Sequence, residues 1–96
     1  MAGFEIYGGN QGPGGAPTDR DILFELGIMY SSGRNVPIDY VAAHKWFNLA
    51  AMKGNQDAAR LRREIAVEMS EAEIAAAQRA ARDWMRMSDR AVRAAA

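Results

Sequence analysis

The chain has no cysteine. Disulfide stapling and thiolate metal sites are therefore excluded, while the compartment is left open. It also carries no net charge, with Lys+Arg 12 against Asp+Glu 12, so the overall balance points neither to wholesale nucleic-acid binding nor to an acidic tail. Histidine occurs once, at His44, which leaves no second imidazole to share a metal. After residue 18 the only proline is Pro37, so helices on either side of it can run unbroken. With 96 residues the chain is one small domain, and a chain of this size buries only about 60 to 65% of the surface its unfolded form exposes.

Glycine and proline are concentrated at the amino end, in MAGFEIYGGNQGPGGAPTD. This stretch lacks both a basic start and an unbroken apolar core, so it reads neither as a secretory signal nor as a membrane span, and a cytoplasmic location is the default expectation. Six of the nine glycines and two of the three prolines lie within residues 1–18, a composition that cannot bury enough apolar surface to offset chain ordering. Residues 1–18 are accordingly expected to form a flexible arm ahead of a helical domain at 19–96. Phe4, Ile6 and Tyr7 form one apolar island in that arm and are candidates for docking on a partner or back onto the chain.

From Pro17 onward the pattern changes. Thr18 offers an N-cap, Asp19 and Asp21 favour the positive end of a helix, and a first helix is expected over about 19–32. The stretch YSSGRNVPIDY then stops one helix and starts another. Gly33 supplies a left-handed residue, Asn35 is the next best residue at positive φ, and Pro37 prevents continuation. Asp39 can cap the next helix, with Ile38 placed to pack on Ala43 as a small staple. That second helix puts Ala43, Trp46, Phe47, Ala50 and Ala51 on one face at helical spacing, and Gly54 closes it. A third helix is expected from about Gln56 to Glu68 on the apolar line Ala58, Leu61 and Ile65. In MSEAEI, Ser70 and Glu73 form a capping box inside a Met69–Ile74 staple, and nothing breaks the fourth helix that follows. The fold class expected is all-α: two stacked antiparallel helical hairpins, 19–54 and 55–96.

The segment LGIMYSSGRNVPIDYVAAHKWFNLAAMKG resembles a Sel1-like repeat, a two-helix relative of the tetratricopeptide repeat. Leu26, Gly27, Tyr30, Gly33, Val36, Asp39, Ala43, Trp46, Ala50, Ala51 and Gly54 match its pattern in order and spacing. The resemblance covers about Asp21 to Asp57, and its main departure is Asn35, where the family usually has a second glycine. A shift of 38 residues sets Leu23 on Leu61, Ala43 on Ala81, Trp46 on Trp84 and Phe47 on Met85, which suggests a degenerate second copy serving as a cap. The resemblance implies an adaptor that assembles other proteins, in bacteria often in envelope, signalling or host-interaction settings. One full repeat presents little concave surface, which favours a small accessory subunit over a stand-alone peptide groove.

No active site is legible, and no cofactor or metal is implied. His44 is expected on a solvated face beside Lys45, the serines lie without an evident base, and no phosphate-cradling motif opens a helix after a strand. Trp46 and Trp84 read as core. The expectation is a non-enzymatic protein-protein interaction module whose partner is another protein, a larger complex or a second copy of the chain.

Two surfaces compete for that role. The first helix, DILFELGIMYSS, is apolar almost all the way round: with Leu23, Leu26, Gly27 and Tyr30 facing the repeat interior, Phe24 and Ile28 project about 100° to 140° away and Ile22 and Met29 about 240° to 260° away. Phe24, Ile28 and Met29 are therefore the favoured protein-binding residues, unless the fourth helix curls over them and makes them ordinary core. On the fourth helix Arg79, Arg82, Arg86 and Arg90, continued by Arg93, fall within an arc of about 80°, opposite Ala77, Ala81, Trp84 and Met85. That stripe is the alternative, a contact for nucleic acid or an acidic protein surface. Nucleic acid is disfavoured, because Asp83 and Asp89 soften the stripe into an ordinary solvated face.

Overall fold

A computed structural model of the chain describes residues 18–95, with side chains through residue 91. The arm at 1–17, with Phe4, Ile6 and Tyr7, lies outside the described residues, as does the side chain of Arg93. The described chain is all-helical: α1 spans Asp19–Ser32, α2 Tyr40–Met52, α3 Gln56–Ala66 and α4 Glu71–Ala95. Among the described residues there is no strand.

Local chemistry sets the ends of these helices. At the start of α1, Thr18 Oγ1 accepts from the Asp21 N–H at 3.2 Å and the Asp21 carboxylate accepts from the Thr18 N–H at 3.4 Å, a reciprocal cap. At its end Gly33 adopts φ 76° and donates to the Met29 carbonyl at 2.9 Å, while Arg34 donates to the same oxygen at 3.1 Å. Asn35 also takes positive φ, 67°, so the asparagine fills the place where the resemblance would put a second glycine. The Asp39 N–H then reaches back to the Tyr30 carbonyl at 2.9 Å and ties the turn across its base. Asp39 Oδ1 accepts from the Ala42 N–H at 3.0 Å and starts α2. Ile38 does not close over Ala43; it is exposed and lies against Gly33, where an added Cβ would stand 2.9 Å from its Cγ1.

Asn55 opens α3 by accepting from the Ala58 N–H at 2.8 Å, a cap in addition to those expected from the sequence. α3 stops at Ala66, two residues short of the expected Glu68, because tight 2.9 and 3.1 Å bonds from the Glu68 and Met69 N–H groups to Ile65 and Ala66 turn the chain. Ser70 and Glu73 then cap α4 reciprocally at 3.1 and 2.8 Å, as their spacing predicts.

Packing centres on α2. α1, α3 and α4 each lie against it, and α4 takes α2 rather than its chain neighbour α3 as its principal support. The core follows from that arrangement: Ala43, Phe47, Leu49 and Ala50 of α2 are buried with Leu23 of α1, Ala58 of α3 and Ala81 of α4. Alanines at these contacts let the helix axes approach closely, and larger side chains fill the space between them. At the α1 contact Gly27 is buried against Phe47: a Cβ placed on Gly27 would run into Cδ1 and Cε1 of that ring. Phe24 lies against the same ring at a centroid distance of 5.9 Å. At the α4 contact Trp46 and Trp84 meet edge to face, 5.8 Å apart at 80°, and Lys45 Nζ sits 4.2 Å from the Trp46 ring.

Candidate functional site

On α1 the interior line is Leu23 and Gly27, both buried. Phe24, Ile28 and Met29 are half-buried, and Ile22 is 48% exposed. Phe24 and Ile28 pack against the core with one side, so each divides its surface between core and exterior. Met29, outside that packing, is the freest of the three. α4 lies on α2 and does not cover this face of α1. Glu25 and Arg34, paired at 3.0 Å, flank it as a polar edge.

The arginines of α4 are arranged as their spacing requires. Arg79, Arg82, Arg86 and Arg90 are all exposed, opposite the buried Ala77 and Ala81. Arg86 is paired with Asp83 at 3.0 Å, an exposed pair worth little in stability. Among the described residues Arg79, Arg82 and Arg90 make no ion pair.

Where α4 leaves α2 the two helices and the start of α1 enclose an open cleft of about 700 Å³. Leu49, Met52, Trp84 and Met85 form its apolar surface, and Asp19, Lys53, Arg82, Arg86, Ser88 and Asp89 surround it. Two of the four stripe arginines thus border an apolar depression. Sequence reading placed Trp84 and Met85 together on the buried side of the fourth helix, yet Met85 is 41% exposed, on the wall of this open cleft. Met52, exposed at the end of α2, was the available signal for this cleft: an apolar side chain outside the buried face of that helix.

His44 corrects an expectation. It is only 4% exposed, and its Nδ1 has no hydrogen-bond partner. α3 covers the face of α2 that a two-helix view leaves to solvent, and Arg62 of α3 bonds Asn48 Oδ1 one turn along α2 from His44. Burial pushes the imidazole below its usual value of 6.5, and the Arg62 charge pushes it further down. Such a group is neutral when folded and takes up a proton more readily when unfolded. Stability is therefore expected to be full above pH 6.5 and to fall as pH drops below that value until the folded imidazole itself titrates. Replacing His44 with leucine should flatten that slope in urea unfolding measured between pH 7.5 and 5; an unchanged slope would assign the effect to other groups. A buried neutral imidazole has no access to a substrate, and among the described residues no group of three or more histidines and carboxylates could hold a metal ion.

Among the described residues no helix is long and apolar enough to cross a membrane. Compared with known proteins, no family model, curated protein or solved structure matches the chain.

Proposed function

We propose that this chain is a non-enzymatic protein-interaction module, a small adaptor or accessory subunit of the cytoplasm, and that it holds a partner protein through Phe24, Ile28 and Met29 of α1. The observation carrying this reading is the face of α1 that α4 leaves uncovered, where three large apolar side chains remain partly exposed. Full burial of such a side chain from water is worth about 1.5 to 3 kcal/mol, and at most about a third of each remains to be covered, so the three together contribute on the order of 1 to 3 kcal/mol to holding a helix. The Sel1-like pattern supports the same reading. Its interior positions Gly27, Ala43 and Ala50 are buried here, and its turn has Gly33 and Asn35 at positive φ.

Met29→Asp is the cleanest test, since Met29 lies outside the core packing, and Ile28→Asp extends it. Met29→Asp should remain helical, whereas Ile28→Asp also disturbs core packing and is read only if circular dichroism shows it folded. In affinity capture from the source cells, the parent chain should retain a protein that Met29→Asp loses by tenfold or more, about 1.4 kcal/mol or above. Equal retention by a folded variant would remove α1 from the interface. Arg79, Arg82 and Arg90, free of ion pairs among the described residues, favour a second reading, an acidic protein surface or nucleic acid held by α4. Retention that collapses between 50 and 200 mM salt would select it, because phosphate contacts weaken steeply with salt and apolar ones do not.

A further inference from the structure

We propose that the cleft bordered by α2, α4 and the start of α1 is the seat of the chain's own amino-terminal segment, Phe4–Tyr7. The cleft offers two kinds of contact, an apolar surface of Met52, Trp84 and Met85 over the buried Leu49, and a charged margin in which Lys53, Arg82 and the Asp83-paired Arg86 outnumber Asp19 and Asp89. Phe4-Glu5-Ile6-Tyr7 offers the complementary two. Its side chains are apolar apart from Glu5, which carries the only side-chain charge in residues 1–17. In extended form Phe4 and Ile6 lie on one side of the strand and Glu5 and Tyr7 on the other. Two apolar side chains then meet the cleft surface while Glu5 stands at the margin, where Lys53 and Arg82 have no ion pair among the described residues.

The point of attachment makes this occupant the best placed of any. Thr18 is held in its cap with Asp21, and the next residue, Asp19, itself lines the cleft, so the arm leaves the helical domain at the cleft mouth. GGNQGPGGAP, residues 8–17, joins the segment to that point. Ten such residues reach at most about 35 Å and span roughly 17 Å on average, whereas the α4 wall from Arg82 to Asp89 is only about 10 Å long. A tether of this length presents the segment at an effective concentration in the millimolar range, so a weak contact is sufficient for occupancy. The seated arm covers Arg82 and Arg86 and leaves Arg79 and the α1 face open. It therefore restrains access to half of the arginine stripe without touching the Phe24–Met29 surface, and it stands or falls independently of the function proposed above.

The absence of cysteine allows a single nitroxide to be attached. In ¹⁵N-labelled full chain carrying Asn10→Cys with a spin label, the amide signals of Leu49, Met52, Lys53 and Arg82–Asp89 should lose most of their intensity. Adding Phe4→Ser and Ile6→Ser should restore them. A mixture of spin-labelled unenriched chain with unlabelled ¹⁵N chain should show no such loss, because the contact is within one molecule. Broadening confined to the residues next to Thr18, centred on Phe24, Ile28 and Met29, or indifferent to the Phe4 and Ile6 substitutions would overturn the proposal. Broadening in the mixed sample would overturn it too, giving the cleft to a second copy's arm.

Discussion

Replacing Phe47 with alanine should lower the free energy of unfolding by about 3 to 5 kcal/mol, the range for truncating a sealed aromatic side chain. The ring is fully buried, and among the described residues only Leu49 shares with it the rank of a large side chain wholly inside. Both Phe24 and the Gly27 backbone of α1 pack against it, so the surrounding helices cannot collapse into the space without giving up the α1–α2 contact. Domains of this kind have about 5 to 15 kcal/mol to lose, and the variant should approach the unfolded baseline in mild urea. Urea titration followed by circular dichroism would measure it. An unchanged slope with a shifted midpoint is the expected form, and a loss below about 1 kcal/mol would mean that the ring is not the centre of the core.

The second large effect comes from the other side of the same contact. Gly27→Ala improves helix propensity by about 1 kcal/mol, and that alone would stabilise α1. The new methyl group must also enter space held by Cδ1 and Cε1 of a ring that is itself closed in. Overpacking of this kind costs about 1 to 3 kcal/mol, so a net loss is expected, with Gly27→Leu at the severe end. The two sites share one volume. Gly27→Ala combined with Phe47→Leu should therefore lose less than the sum of the single changes, by about 0.5 kcal/mol or more. A stabilised Gly27→Ala would show that the two helices stand further apart than their packing indicates.

These contacts also mark the boundary between what the sequence discloses and what it conceals. Helix ends are readable because a cap is a conversation among four or five neighbouring residues. Thr18 with Asp21, Asp39, and Ser70 with Glu73 all bond as their spacing requires. Gly27 was readable as a point of close approach because a residue without a side chain on an apolar face has few other uses. His44 was not readable. Its burial depends on α3 lying across α2, and nothing within a turn of His44 records where a helix more than ten residues away will pack. The cleft was hidden for the same reason: it exists because α4 chose α2 as its neighbour, which brings Met85 and Arg82 beside Met52 and Lys53 from opposite parts of the chain. On α1 the sequence showed an excess of apolar surface, and packing determined that each side chain would be half covered.

The choice of α2 as support gives α4 a mechanical character. α4 has 25 residues and α2 has 13, about 37 Å against 20 Å of helix, and Trp84 is the last α4 side chain packed against the core. The helix is thus a cantilever clamped between Ala77 and Trp84, with about 16 Å of stiff rod beyond the clamp. Whatever grips its outer end exerts a torque at the clamp, where a sideways displacement of 3 Å at the tip becomes a rotation of about 10°. A rotation there would change the tilt of the edge-to-face pair Trp46 and Trp84, so a partner gripping the outer end is expected to alter their near-ultraviolet circular dichroism.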